Sequence, residues 1–451
     1  MIQNINLKNF KAFEQVNLEF RPITLFLGPN NSGKSSVLSS LRILSQTLQS
    51  YDQSVSLLVN GKLGDFGTYK DIVHGNNRQK HIEINITTDL QNKITYPDFL
   101  NVKTNQLLMK LKYRYRSTIH ELILSEIELL NGSTSLFSSK YSEKSEKHII
   151  HSVYGKIVPA GFRSTLSKRY RLFHFLPNSV MFIDEEDLKD TENKEFYSNE
   201  VRKILREISR MCGPIYNDLM NIEYLGAMRL PPERTYLFSG ERNNKVGSKG
   251  ENASSILMMD SLRKGEKSKQ IKEKVVNWLK QSQIASDIKI VSLSDRHYEL
   301  YIQNPKTKEY QNYADVGYGN SQVIPVLVAG YNLSKNETLI VEEPEIHLHP
   351  GAQSELGDFF LELYKESKNS IIETHSEYLI VRLQQHIAAG KINPKDILFY
   401  YVYSTDTKKE IIKMNVDKSG AFLEDWPEGF FPQRLDEAKK LAKIRFELQK
   451  K

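Results

Sequence analysis

Apolar positions recur with a strand-like period through the start of the chain: Ile2, Ile5, Leu7 and Phe10, then Val16, Leu18 and Phe20. That pattern predicts two short strands joined by Asn9-Phe10-Lys11-Ala12-Phe13. It turns continuous at Ile23-Thr24-Leu25-Phe26-Leu27, the length of a strand buried on both faces. Past a glycine-containing turn, Val37, Leu38, Leu41, Ile43 and Leu44 take helical spacing, and His81 to Ile86 alternates again. Charged, aromatic and strand-like segments fill the stretch from about 90 to 220, with a charged helix around Glu186 to Arg210. A polar loop follows at Asn243 to Gly250 and a basic helix at Gly265 to Ser282. Further on, Thr338 to Val341 and Ser370 to Ile372 read as short buried strands with a helix, Gly351 to Tyr364, between them. This strand–helix–strand return predicts that the C-terminal segment completes the sheet begun at the N-terminus, with the middle inserted.

A length of 451 residues implies two or three folding units. The 39% hydrophobic and 26% charged content is that of an ordinary globular chain. No apolar run reaches the roughly 18 residues of a membrane helix, and Met1-Ile2-Gln3-Asn4 does not open a secretory leader. The single cysteine, Cys212, excludes an intramolecular disulfide framework and fits a reducing cytoplasm without a membrane partner. The net charge of +7 reads equally as a nucleic-acid footprint or as solvated surface, since 55 acidic residues are spread among 62 basic ones.

Gly28-Pro29-Asn30-Asn31-Ser32-Gly33-Lys34-Ser35 satisfies every fixed position of G-x-x-x-x-G-K-S/T, between a strand and a helix. Glycines let the backbone curl so that its amides meet phosphate oxygens, and the helix dipole points at the same anion. Lys34 supplies charge for the β- and γ-phosphates, and the Ser35 hydroxyl can ligate Mg²⁺. Gly28, Asn30, Asn31, Ser32, Gly33, Lys34, Ser35 and Ser36 are the candidate ATP contacts. Leu339-Ile340-Val341-Glu342-Glu343-Pro344 is an apolar strand ending in two acids. Glu342 is assigned to Mg²⁺ and Glu343 to the attacking water; the plainer alternative is a strand running into a solvated acidic turn. His347 and His349 invite a metal reading, but a structural or interface role is preferred because no further ligand set is visible. Thr374-His375-Ser376 puts a histidine after another apolar strand, within reach of a γ-phosphate or its attacking water.

In this order the motifs resemble ABC-type ATPases of the SMC, RecF and OLD branch, and more narrowly its prokaryotic AAA-labelled members. The resemblance rests on Asn9 to Phe13, Gly28 to Ser35, Asp315 to Gln322, Glu342 to Pro350, Thr374 to Ser376 and Trp426 to Phe431. Leu63 to Gly67 and Arg229 to Arg234 add to it. It implies an α/β fold: a P-loop NTPase head of ABC type, split by a long α+β insertion, with a small C-terminal extension. The expected division is an N-terminal lobe over 1–90, an insertion over 91–215, a return segment over 216–310, a C-terminal lobe over 311–400 and a small domain over 401–451. In such ATPases two heads sandwich ATP. Carried over here, Gly317, Gly319, Ser321 and Gln322 of one copy would cap a γ-phosphate held by Lys34 of another, making a homodimer or higher homo-oligomer. Three departures stand out. Glu342 replaces the usual Asp, the signature lacks Leu-Ser-Gly-Gly, and Gln46 falls too early for a Q-loop glutamine.

The resemblance also implies an ATP-gated, DNA-associated switch in anti-phage defence, working with a separate effector, a nuclease or toxin. A RecF-like repair ATPase and a non-DNA scaffold whose ATP state controls a partner are the alternatives. Fewer than 80 residues follow His375, with no Glu…Asp-x-Asp arrangement of a Toprim nuclease. Lys112-Tyr113-Arg114-Tyr115-Arg116, extended by Arg163, Lys168, Arg169 and Arg171, reads either as a phosphate-binding face or as an amphipathic strand with buried tyrosines. Arg229 and Arg234 read as nucleotide or nucleic-acid contacts, or as ties between insertion and head. The basic end, from Lys439 to Lys451, is a solvated helix.

Overall fold

The computed structural model describes residues 1–90, 104–118, 120–153, 156–157, 172–177, 205–238, 240, 243–263, 268–405 and 408–425. Arg163, Lys168, Arg169, Arg171, the Trp426 to Phe431 motif, the basic end and the start of the charged helix at Glu186 lie outside the described residues. The chain forms two compact units. The first comprises Met1–Phe20, Ser35–Tyr224 and Asn336–Thr338; the second comprises Arg21–Lys34, Leu225–Lys335 and Leu339–Lys451.

The first unit is built on an antiparallel sheet. Its strands are β1 (Ile2–Phe10) and β2 (Phe13–Glu19) from the N-terminus, then β4 (Ile82–Asp89), β5 (Gln106–Arg116), β6 (Glu121–Asn131), β7 (Thr134–Ser142), β8 (Lys147–Val153) and β9 (Lys156–Ile157). They lie in the order β9-β8-β7-β6-β5-β4-β1-β2. The division expected at residue 90 therefore falls between β4 and β5, which are neighbours in register from Ile82↔Tyr113 to Asp89↔Gln106. Strict alternation in β4 (Ile82, Ile84 and Ile86 buried) covers one face of the sheet, as its period of two demands.

In β5 the tyrosine-buried alternative holds for Tyr113, which is fully buried, while Tyr115 is half-buried and stacks on Tyr69 at 5.7 Å. The arginines of that strand are ion-paired. Arg114 reaches Glu143 at 2.6 Å, Arg116 reaches Glu146 at 2.9 Å, and Lys112 stands across from Glu126.

The second unit holds the parallel strands. β3 (Ile23–Leu27) has all five residues buried, so both its faces are covered. The strands run in the order β10-β11-β3-β12-β13, where β10 is Thr338–Glu342, β11 Asn369–Glu373, β12 Ile397–Ser404 and β13 Lys409–Met414. β3 pairs in parallel with β11 on one side and β12 on the other, and β13 closes antiparallel on β12. The predicted return of the C-terminal segment to the N-terminal strand is thus present. Helices α2 (Tyr318–Asn332), α3 (Pro350–Lys365) and α4 (Glu377–Ala388) pack around it, with Trp278, Phe359, Phe360 and Phe399 in the core. The basic helix is shorter than predicted, Ile271–Gln281. Proline at the first position and His349 as N-cap start α3, which gives His349 its structural role: its Nδ1 accepts from the Gly351 amide at 3.3 Å.

Candidate nucleotide site

At the carboxyl end of β3 the chain turns through Gly28 to Gly33 and enters α1 (Lys34–Leu48). Gly28 has φ +137°, and a Cβ there would stand 2.0 Å from the Val402 carbonyl oxygen. Gly33 has φ +110° and Asn31 φ +66°, so the curl is made by residues that tolerate positive φ. The tip, Pro29 to Asn31, is exposed, whereas Ser32 is buried and its Oγ has no hydrogen-bond partner among the described residues. Lys34 is 4% exposed. Its Nζ donates to the carbonyls of Gly28 and Pro29, each at 3.0 Å, and stands 3.8 Å from Glu373. Burial pushes this ammonium below the usual lysine range, while Glu373, Glu343 and Glu345 pull it back.

The acid pair ends β10. Glu343 takes φ +44°, unusual for a side-chain-bearing residue, and its amide donates to the Glu373 carbonyl at 2.7 Å. Two residues on, Glu345 is buried and its Oε1 accepts the His375 amide at 2.6 Å. The other oxygen, Oε2, and the Nε2 of His375 are buried without hydrogen-bond partners among the described residues. Burial raises the Glu345 carboxyl above the usual range, against the His375 amide and with the help of the Glu343 charge. Burial also lowers the His375 imidazole below its ordinary range, and the Lys34 charge adds to it against the Glu343 charge. His375 is fixed between anchored neighbours. Thr374 donates its amide to Phe26 at 3.1 Å, and the Ser376 hydroxyl caps α4 and donates to Gln353 at 2.7 Å.

A raised folded-state pKa at a carboxyl means that the native state binds the extra proton, so the wild type loses stability as pH rises above the ordinary Glu value. Glu345→Gln removes that loss and keeps an acceptor for the His375 amide. It is expected to match wild type near pH 4.5. Above that it should become progressively more stable than wild type until the folded-state pKa is passed. Denaturant melts of both proteins from pH 4.5 to 8 check this; a variant that melts lower at every pH contradicts it.

The signature residues lie at the start of α2. Gly317 caps α2 and is exposed, Gly319 is half-buried in its first turn, but Ser321 and Gln322 are 2% and 6% exposed. The signature is therefore the start of a helix rather than a turn before one. Gln46 points away from any such role within the first unit, its amide donating to the Leu58 carbonyl at 2.7 Å. Arg234 forms a bidentate pair with Asp315 at 2.5 and 3.0 Å. Arg229 is buried, and its guanidinium donates to the main-chain oxygens of Glu342 at 2.8 Å and Glu343 at 3.2 Å. Sequence reasoning missed Glu345 and Glu373 as site residues. Glu373 carries a local signal, an acid ending the apolar strand before His375, and Glu345 lies beside the acid pair; the hold of Arg229 spans more than a hundred residues.

A glycine-curled loop between a buried parallel strand and a helix, with its lysine facing an acid turn and a histidine, defines a P-loop ATPase. Residues 1–380 match the model of the AAA ATPase domain, and the chain belongs to that family. Residues 392–441 match a family described as protein of unknown function (DUF3696). Endonuclease GajA of Bacillus cereus (strain VD045) is 33% identical over 89 residues, which is 20% of this chain and 13% of that protein. Among solved structures, the SmcHead bound to the C-winged helix domain of ScpA aligns over 93% of this chain and 98% of its own, at 11% identity and TM-score 0.47. The SMC head domain from Thermotoga maritima aligns over 92% and 99%, at 10% identity and TM-score 0.40. The Smc head domain with an extended coiled coil, bound to the C-terminal domain of ScpA derived from Pyrococcus furiosus, aligns over 98% and 99%, at 11% and 0.44. No helix among the described residues is long and apolar enough to cross a membrane.

Proposed function

We propose that this chain is an ATP-gated switch that binds ATP with Mg²⁺, pairs with a second copy through its head and resets by hydrolysis. The observation that carries this reading is the convergence of Lys34, Glu343, Glu345, Glu373 and His375 on one phosphate loop. Lys34 leaves its own loop carbonyls for the β- and γ-phosphates, and the loop amides with Ser32 line them. Ser35 and Glu342 offer the hard oxygen donors that Mg²⁺ takes alongside phosphate and water, and bound there the ion would neutralise phosphate charge. Glu343 orients the attacking water, and His375 meets the γ-phosphate with the Nε2 that has no hydrogen-bond partner among the described residues. From the second copy, the amides of exposed Gly317 and half-buried Gly319 cap that phosphate, while Ser321 and Gln322 anchor their helix from behind.

The setting that fits is a cytoplasmic prokaryotic anti-phage system with a separate effector, a nuclease or toxin. The family resemblance supports it, and so does the stretch similar to an endonuclease. For the partner, the non-DNA scaffold gains weight over DNA association from one observation: the arginines of β5 are already paired with Glu143 and Glu146. Mass measurement of Glu343→Gln with and without ATP tests the switch. ATP is expected to double its mass while turnover falls by about 100-fold or more. Undiminished turnover, or a mass indifferent to ATP, sinks the reading.

A further inference from the structure

Pro325 sits inside α2. Lacking an amide hydrogen, it denies the Ser321 carbonyl its helical donor, and the buried hydroxyl of Tyr313 donates there instead, at 3.4 Å. The next carbonyl along, Gln322, accepts Nη1 of Arg229 at 3.4 Å. The same guanidinium's Nη2 holds the carbonyls of Glu342 and Glu343. One buried fork thus joins the first turns of the signature helix to the acid pair. Lysine, whose three donors share one nitrogen, does not reproduce the spread of that fork.

The backbone carrying Arg229 bears on the same helix. Gly226 and Leu230 donate their amides to Ser248 and Lys249, each at 2.9 Å. The adjoining Gly250, at φ +81°, lies so near Pro325 that a Cβ would stand 2.9 Å from the ring. At the other end, Glu343 keeps its positive φ because both sides of it are held, the amide by Glu373 and the carbonyl by Arg229. Arg229 thus ties the first turns of α2 to the carbonyl of Glu343.

We propose that Arg229 is a positioning residue that couples engagement of the α2 N-terminus to the orientation of Glu343. The inference rests on the reading that Gly317 and Gly319 meet the second copy's nucleotide and that Glu343 orients the water. The test compares Arg229→Lys, Gly319→Ala and the double variant in steady-state ATP hydrolysis, with fluorescent-nucleotide binding alongside. Arg229→Lys is expected to lower kcat about tenfold or more while nucleotide affinity stays within about twofold and the number of nucleotide sites per chain stays that of wild type; a loss of folded protein would lower the site number along with kcat. The double variant should be no slower than the slower single variant, because both changes break one path. A wild-type kcat in Arg229→Lys, or losses that multiply in the double variant, overturns the proposal. Should Arg229→Lys melt below the assay temperature, Pro325→Ala replaces it. Restoring the amide straightens the turn that presents Gln322, and the same kcat-only loss is expected; a wild-type kcat there overturns the inference. Glu343→Gln separates the two failures: if it turns over normally, the functional reading fails, whereas if it is inactive while Arg229→Lys is normal, only the coupling fails.

Discussion

Lys34→Ala is expected to bind ATP at least about 100-fold more weakly than wild type, a loss of about 2.7 kcal/mol. The reason lies in what the lysine leaves behind. Its ammonium is the cation set among Glu373, Glu343 and Glu345 at the mouth of the loop. Without it, a polyphosphate meets acids instead of a charge-assisted donor, and each such hydrogen bond contributes about 1.5–3 kcal/mol. Stability without nucleotide should change far less, because Lys34 is itself held below its usual pKa by burial. Titration calorimetry on both proteins decides the matter, and a Kd within about threefold of wild type would remove Lys34 from its role.

Gly28→Ala should be the most damaging small change to the fold. The added methyl meets the Val402 carbonyl at 2.0 Å and is built on a backbone at φ +137°. Neither partner can give way easily: Val402 is paired with Ile411 of β13, and its neighbour Tyr401 with Leu27 of β3. Overpacking of this kind typically costs 1–3 kcal/mol, and the disfavoured φ adds to it, so a loss of about 3 kcal/mol or more is expected. Gly317→Ala is the matched control, since its methyl would have no atom within 4 Å. Urea melts should separate the two variants clearly; coincident midpoints would contradict the argument.

What the chain disclosed in advance was local. Ile23 to Leu27 announces a strand covered on both faces because all its positions are apolar, and the loop after it is written in glycines whose φ values only glycine takes easily. The acid pair and His375 are legible for the same reason, each ending an apolar strand. Long-range features were not legible. Nothing in the alternation of Ile82, Ile84 and Ile86 says that β4 lies between β1 and β5, since a strand's period fixes its faces and not its neighbours. Helix α2 carries a proline and two glycines that interrupt its pattern; a tertiary bond from Tyr313 compensates for the one that Pro325 cannot make.

The folded-back posture of Lys34 has a consequence for which form of nucleotide the loop accepts. Before anything binds, the ammonium is engaged by two carbonyls and faces Glu373, so an incoming anion must displace those contacts and then lie close to carboxylates. A free polyphosphate arrives with its full negative charge and is repelled, whereas a polyphosphate escorted by a divalent cation arrives largely neutralised. The ring of acids thus acts as a counter-ion sieve. On the proposed reading it favours magnesium-complexed ATP over metal-free nucleotide.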